Sequence, residues 1–123
     1  MKQILIIDDE PQIRSMLKKM LEQEGFDIIV ASDGKEGMKL FEKDPVDLVI
    51  TEIIMPEKDG IEVIQALRKD YPDVPIIAMS GGGRNSPDGY LNMEKLLGAQ
   101  ATFEKPINKE ELLNTVKKVL EFK

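Results

Sequence analysis

The sequence predicts an α/β fold in which five short strands alternate with five helices. Two observations predict it: five short apolar runs each end at a polar, glycine or proline break, and the segments between them carry apolar residues at spacings of three and four. This alternation favours a doubly wound parallel sheet, because parallel strands need right-handed crossovers that place helices on both faces. The 123 residues are enough for one domain with a substantial core.

The first strand is predicted at Gln3–Ile7, where an apolar run is stopped by Asp8-Asp9-Glu10-Pro11. Pro11 suits the first turn of a helix, and the acids before it suit the positive end of the helix dipole. Gly25 is expected to cap this helix. Its apolar face follows the helical spacing and consists of Ile13, Met16, Leu17, Met20 and Leu21.

The second strand is predicted at Asp27–Ala31, and Ser32-Asp33-Gly34 is expected to start a helix that runs to about Lys43. The third strand is predicted at residues 46–51. Glu52 follows it directly, before a Met55-Pro56 break and an Asp59-Gly60 turn. This branched apolar run is typical of a strand that is buried on both faces and delivers Glu52 to the carboxyl edge of the sheet.

The second half of the chain continues the alternation. Apolar spacing predicts a helix that ends before Tyr71-Pro72, and a fourth strand follows at residues 74–79. Ser86-Pro87 is expected to start a helix that is capped by Gly98. A fifth strand is predicted at residues 101–103, and Asn108 with Glu111 forms a capping-box-like start of the last helix.

The composition excludes several kinds of site. The chain has no cysteine and no histidine, so thiol nucleophiles, disulfides and imidazole bases or ligands are absent. The net charge of −6 argues against direct contact with nucleic acid. No apolar stretch is long enough for a membrane span and no signal peptide is visible, so a cytoplasmic location is expected.

Five polar side chains are predicted to meet at the carboxyl edge of the sheet. Asp8 and Asp9 follow the first strand, Glu52 the third, Ser80 the fourth and Lys105 the fifth. Clustered carboxylates repel one another unless a cation lies between them, and hard oxygen ligands suit Mg²⁺. A lysine and a hydroxyl opposite the metal would suit the oxygens of a phosphoryl group.

Each of these features also has a purely structural explanation. The acids before Pro11 can serve as a helix cap, Ser80 can be an ordinary loop residue, and Lys105-Pro106 can form a turn. The glycines after Ser80 match neither a Walker pattern nor GxGxxG. The functional interpretation therefore depends on the joint placement of these residues at successive strand ends.

As an ordered set, these motifs resemble the receiver domain of bacterial two-component response regulators. The resemblance covers essentially the whole chain, so we expect a single receiver domain at 1–123 with no effector domain in this chain. It implies a flavodoxin-like fold with strand order 2-1-3-4-5. It also implies Mg²⁺ binding and, rather than an enzyme, a signalling module that takes a phosphoryl group from a sensor histidine kinase or phosphotransfer protein.

The resemblance also implies a role for each motif residue. Asp9 and the acid at position 52 would contact Mg²⁺ directly, Asp8 would help through water, and the Ile54 backbone carbonyl would be a further ligand. Ser80 would receive a phosphoryl oxygen, and Lys105 would pair with the phosphoryl charge. The bond before Pro106 is a candidate cis peptide, which is energetically cheap only before proline.

The sequence departs from the family pattern at two positions. Glu52 stands where the family has the phosphorylated aspartate, and its extra carbon–carbon bond, about 1.5 Å, extends the carboxylate into the space of the incoming phosphorus. Thr102 stands where many relatives carry an aromatic switch residue, and the adjacent Phe103 should face the opposite side of the sheet.

Three interpretations of Glu52 follow. The chain is a receiver whose acceptor aspartate was replaced, so that it is phosphorylation-deficient or a phosphomimic; or a natural phosphorylation-independent interaction module; or a small Mg²⁺-dependent phosphatase. The intact Asp8, Asp9, Ser80 and Lys105 favour the first interpretation. In receivers, a downstream protein docks on a face that would correspond here to residues 90–97, 101–104 and 108–122.

Overall fold

The computed structural model describes residues 2–53, 60–80 and 99–121, without the Ser80 side chain. Within these ranges the chain has five strands and four helices. In chain order they are β1 (Gln3–Ile7), α1 (Pro11–Gln23), β2 (Asp27–Ala31), α2 (Gly34–Lys43), β3 (Leu48–Glu52), α3 (Gly60–Asp70), β4 (Ile76–Ser80), β5 (Ala101–Glu104) and α4 (Lys109–Glu121). None of the helices in these ranges has the length and apolar character needed to cross a membrane.

The five strands form one sheet in the order β2-β1-β3-β4-β5, and each neighbouring pair is parallel. The predicted fold class and strand order are therefore confirmed. The predicted helix from Ser86-Pro87 to Gly98 lies outside the described residues. So do Ile54 and the glycines that follow Ser80.

The bounds of β3, β4 and β5 differ from the predictions. β3 begins at Leu48 rather than at position 46, because ladder pairing with β1 begins with Leu48 opposite Ile4. Glu52 is the last residue of β3 and pairs with Met79, so it belongs to the strand. β4 begins after Pro75, which lacks the N–H that a ladder donor needs, although the Pro75 carbonyl still accepts from the Val49 N–H at 3.1 Å.

The predicted helix ends are confirmed in three places. Gly25 has φ +95° directly after Glu24, the C-cap residue of α1, and glycine adopts this conformation without steric cost. The Asp33 side chain accepts a hydrogen bond from the Glu36 N–H at 2.8 Å at the start of α2. The Asn108 side chain accepts from the Glu111 N–H at 3.0 Å at the start of α4.

The sheet separates two apolar clusters, as alternation along buried strands requires. The first cluster lies between the sheet and helices α2 and α3, and Phe41 and Leu67 are among its buried residues. The second lies between the sheet and helices α1 and α4 and includes Leu17, Val116 and Met79. Two well-packed faces hold the strand ends in fixed positions, which is what a precise site at the carboxyl edge needs.

Gly60 fixes the start of α3 against the end of β3. Its N–H donates to the Ile53 carbonyl at 2.7 Å. A Cβ at this position would overlap the Glu52 carbonyl oxygen and the Ile53 Cα, both of which belong to the backbone. Only glycine allows this approach without displacing the strand that carries Glu52.

We therefore expect Gly60→Ala to lower the free energy of unfolding by about 1–3 kcal/mol, because the new methyl group must displace backbone. Urea unfolding followed by circular dichroism measures it. Lys39→Ala, at an exposed position of α2, is the control and should change stability by less than about 0.5 kcal/mol. Equal stability of the two variants would contradict the close approach at Gly60.

Candidate functional site

Strand alternation places three of the predicted site residues on one face of the sheet. Ile6, Ile50 and Phe103 all pack in or against the cluster on the α1 and α4 side. Asp8, Glu52 and Lys105 each follow one of these residues by two positions, so they continue that face beyond the apolar core. The carboxyl ends of β1, β3 and β5 thus bring two acids and one amine together.

Lys105 is the centre of this arrangement. Its Nζ lies 2.5 Å from Glu52 Oε1, 2.8 Å from Asp8 Oδ2 and 2.6 Å from Glu10 Oε1. The Lys105 side chain is only 9% exposed. One ammonium therefore neutralises part of a three-carboxylate cluster in a poorly hydrated place, where charge pairs interact more strongly than at the surface.

Asp8 is fully buried, and its two carboxylate oxygens have different environments. Oδ1 accepts a hydrogen bond from the Glu10 N–H at 2.8 Å, which forms a turn at the end of β1. Oδ2 contacts Lys105 as an ion pair, yet it makes no hydrogen bond of good geometry within the described ranges. The Asp8 carbonyl accepts from Arg14 Nη1 at 2.7 Å, which ties the turn to α1.

Glu52 is also buried, with 3% of its surface exposed. Its Oε2 accepts a hydrogen bond from the Ile53 N–H at 2.9 Å, while Oε1 contacts Lys105. The neighbouring Thr51 hydroxyl donates to the Glu52 carbonyl at 3.0 Å. The longer glutamate side chain is therefore held in one orientation, with one oxygen against the backbone and the other against the ammonium.

Burial and pairing act on the charged states of this cluster in opposite directions. Burial raises the pKa of Asp8, against the opposing effects of Lys105 and of the Glu10 N–H. Burial alone would lower the pKa of Lys105, but its contacts with the carboxylates of Asp8, Glu10 and Glu52 outweigh this and raise the pKa. Lys105 consequently remains an ammonium at neutral pH.

The other predicted site residues are placed as follows. Asp9 is exposed and does not belong to the cluster. The backbone of Ser80 ends β4, whereas the Ser80 side chain and Ile54 lie outside the described part of the chain. Thr102 lies opposite Ala78, on the other face from Phe103, as predicted. The Lys105–Pro106 peptide bond is cis.

Glu10 is the site residue that sequence reasoning missed. The pattern before Pro11 suggested a helix cap, yet the Glu10 side chain makes no capping hydrogen bond and contacts Lys105 instead. Glu10 and Lys105 are 95 positions apart in sequence, so no local pattern could join them. The available signal was a third consecutive acid at a strand end opposite a lysine.

The donor set of the cluster fits a hard divalent cation. Among the described residues, carboxylate oxygens of Asp8, Glu10 and Glu52 lie within 4.8 Å of one another. All are hard oxygen ligands, and the buried Asp8 Oδ2 has an ion pair with Lys105 but no hydrogen bond of good geometry in the described structure. Such a buried oxygen suits Mg²⁺, which is bound by one or two carboxylates and keeps several waters.

Sequence comparison with known proteins identifies a matching family and two relatives. Residues 4–117 match the family model described as the response regulator receiver domain. The transcriptional regulatory protein CpxR of Escherichia coli (strain K12) is 38% identical over 120 residues, which cover 98% of this chain and 50% of that protein. The alkaline phosphatase synthesis transcriptional regulatory protein PhoP of Bacillus subtilis is 37% identical over 119 residues, 97% of this chain and 48% of that protein.

Solved structures show the same fold over nearly the whole chain. The chemotaxis response regulator CheY4 of Vibrio cholerae superposes with a TM-score of 0.87 at 32% identity, covering 98% of this chain and 99% of that one. The chain spans about half the length of the curated relatives named above. The match over residues 4–117, the strand order and the acid–lysine cluster at the carboxyl edge lead to one conclusion: the chain belongs to the response regulator receiver domains of two-component signal transduction.

Proposed function

We propose that this receiver domain binds Mg²⁺ at its acidic edge but accepts a phosphoryl group poorly, because Glu52 occupies the acceptor position. Asp9, Glu52 and the Ile54 carbonyl would hold the ion, and Asp8 would assist through water. The phosphodonor would be a sensor histidine kinase or phosphotransfer protein. Ser80 and Lys105 would contact the phosphoryl oxygens, and Thr102 would take the position of the switch residue.

The contact between Glu52 and Lys105 carries this proposal. Glu52 Oε1 lies 2.5 Å from Lys105 Nζ, and both side chains are almost fully buried. The extra reach of glutamate over aspartate, about 1.5 Å, puts the carboxylate where an incoming phosphoryl group would have to lie. Because in-line transfer tolerates little misplacement, a well-held but displaced carboxylate is a poor acceptor.

The same contact supports a partial phosphomimic. A phosphoryl group at this position would pair its negative charge with Lys105, and the Glu52 carboxylate already forms such a pair. A carboxylate carries one charge, whereas a phosphoryl group carries about 1.5 to 2 and has three acceptor oxygens. We therefore infer that Glu52 shifts the domain only part of the way towards its phosphorylated conformation.

The output would pass to a downstream protein through the face formed by residues 90–97, 101–104 and 108–122. CpxR and PhoP are named as transcriptional regulatory proteins and are about twice as long as this chain. The net charge of −6 gives its surface little attraction for nucleic acid.

Amide NMR spectra test the partial mimic. Spectra would be compared for the chain as given, for Glu52→Asp, and for Glu52→Asp after a small phosphodonor and Mg²⁺ are added. We expect the peaks of β5 and α4 in the first sample to lie between those of the other two, because the pair with Lys105 is retained at a lower charge. Peaks that coincide with unphosphorylated Glu52→Asp would exclude the mimic.

A Mg²⁺ titration tests the metal site separately. Saturable shifts of the amides around Asp8 and Glu52 are expected. Glu42→Gln, an exposed substitution in the last turn of α2, controls for the change in net charge and should leave the affinity unchanged. Asp9→Asn should weaken binding, and unchanged affinity in this variant would contradict the role proposed for Asp9.

A further inference from the structure

We propose that Glu10 is a positioning residue that keeps hold of Lys105 when a divalent cation takes over the Asp8 and Glu52 oxygens. The inference rests on the Mg²⁺ site proposed above and assigns the residue that makes room for the ion. The Lys105 ammonium and the metal ion would compete for the same carboxylate oxygens. Of the three carboxylates that contact Lys105 in the described part of the chain, Glu10 would be the one that Lys105 keeps.

The backbone of Glu10 is hydrogen-bonded to the residues around the site, and its side chain contacts Lys105. Its N–H donates to Asp8 Oδ1 at 2.8 Å, and its carbonyl accepts from the N–H groups of Ile13 and Arg14, each at 3.1 Å. These contacts fix Glu10 as the N-cap residue of α1 without using its carboxylate. That carboxylate instead accepts from Lys105 Nζ at 2.6 Å.

The three acceptors of Lys105 differ sharply in exposure. The side chains of Asp8 and Glu52 are 0% and 4% exposed, whereas that of Glu10 is 51% exposed. A metal ion bound directly by Glu52 and through water by Asp8 would lie beside the Lys105 ammonium, and the two cations would repel each other there. Lys105 must therefore give up Asp8 and Glu52 for the ion to bind, and Glu10 offers it a hydrated position.

Asp8 requires that Lys105 be replaced by another cation when it leaves. Oδ2 is buried, contacts Lys105 Nζ at 2.8 Å and has no hydrogen bond of good geometry among the described residues. If Lys105 left without replacement, a buried charge would lose its counterion, which is strongly unfavourable. Release of Lys105 and entry of a cation are thus coupled, and Glu10 stabilises the released ammonium.

A double-mutant cycle on Mg²⁺ affinity tests the proposal, with titration calorimetry on the whole chain. Glu10→Gln is expected to weaken Mg²⁺ binding by about two- to fivefold, the range of a half-exposed ion pair. In the Lys105→Met background the same substitution should change the affinity by less than about 1.5-fold, since no ammonium remains to be received. Glu42→Gln provides the charge-matched control.

Side-chain NMR of the Lys105 ammonium gives a second readout that does not require the Lys105→Met variant to fold. With saturating Mg²⁺, the Lys105 Nζ signal should remain visible in the unsubstituted chain and disappear through solvent exchange in Glu10→Gln. Equal losses of affinity in both backgrounds, or an ammonium signal that does not depend on Glu10, would overturn the proposal. If every variant failed to bind Mg²⁺, the proposed metal site would fall together with it.

Discussion

Glu52→Asp is expected to accept a phosphoryl group from a small phosphodonor at least about 100-fold faster than the chain with Glu52. In the structure the Glu52 carboxylate is fixed by the Ile53 N–H at 2.9 Å and by Lys105 at 2.5 Å. Aspartate is shorter by one carbon–carbon bond, about 1.5 Å. Its carboxylate would lie farther from Lys105 and leave room for the phosphoryl group beside the ammonium.

Intact-mass measurement over time, with Mg²⁺ and the phosphodonor present, would give both rates. Glu42→Asp makes the same chemical change at an exposed position of α2 and should behave like the unsubstituted chain. A rapid gain of one phosphoryl mass by the Glu52 chain itself would refute the proposed block, because it would show that the longer side chain is a competent acceptor.

Lys105→Met is expected to lower the free energy of unfolding by about 3–5 kcal/mol in the absence of divalent cations. Lys105 is the shared counterion of Asp8, Glu10 and Glu52, and two of these acids are buried. Methionine fills a similar volume but carries no charge. The loss would therefore report the repulsion and desolvation of the remaining carboxylates rather than lost packing.

Urea unfolding with and without Mg²⁺ would measure this loss. The control is Lys117→Met, which removes an exposed ion pair with Glu24 at 3.0 Å and should cost less than about 1 kcal/mol. Added Mg²⁺ should stabilise Lys105→Met more than the unsubstituted chain, because the ion would replace the missing positive charge. Equal destabilisation by the two substitutions would show that the acid cluster does not depend on Lys105.

The elements of the fold were predictable because their signals are local. The apolar runs predicted β1 and β2 at the observed bounds, and the caps at Asp33 and Asn108 were read from single residues and their spacing. The start of β3 was wrong by two positions because pairing with β1, a nonlocal interaction, sets where that strand begins.

The candidate site was only partly predictable. The strand ends placed Asp8, Glu52 and Lys105 at one edge, which the structure confirms. The relation of Asp9 to the cluster depends on strand alternation: Asp8 continues the face of Ile4 and Ile6, and Asp9 does not. The contact of Glu10 with Lys105 could not be predicted, because it depends on how two long side chains meet across the edge.

The position of Lys105 has a mechanical consequence. Lys105 follows β5 at the border of the sheet, whereas Asp8 follows β1, and β3 and β4 lie between these strands. Ladder hydrogen bonds transmit a displacement only from one strand to its neighbour. The Lys105 side chain instead connects the border strand β5 directly to Asp8 and Glu52 at the ends of the central strands. A change of partner at its ammonium would therefore reach β5 directly from β1 or β3, without passing through β4.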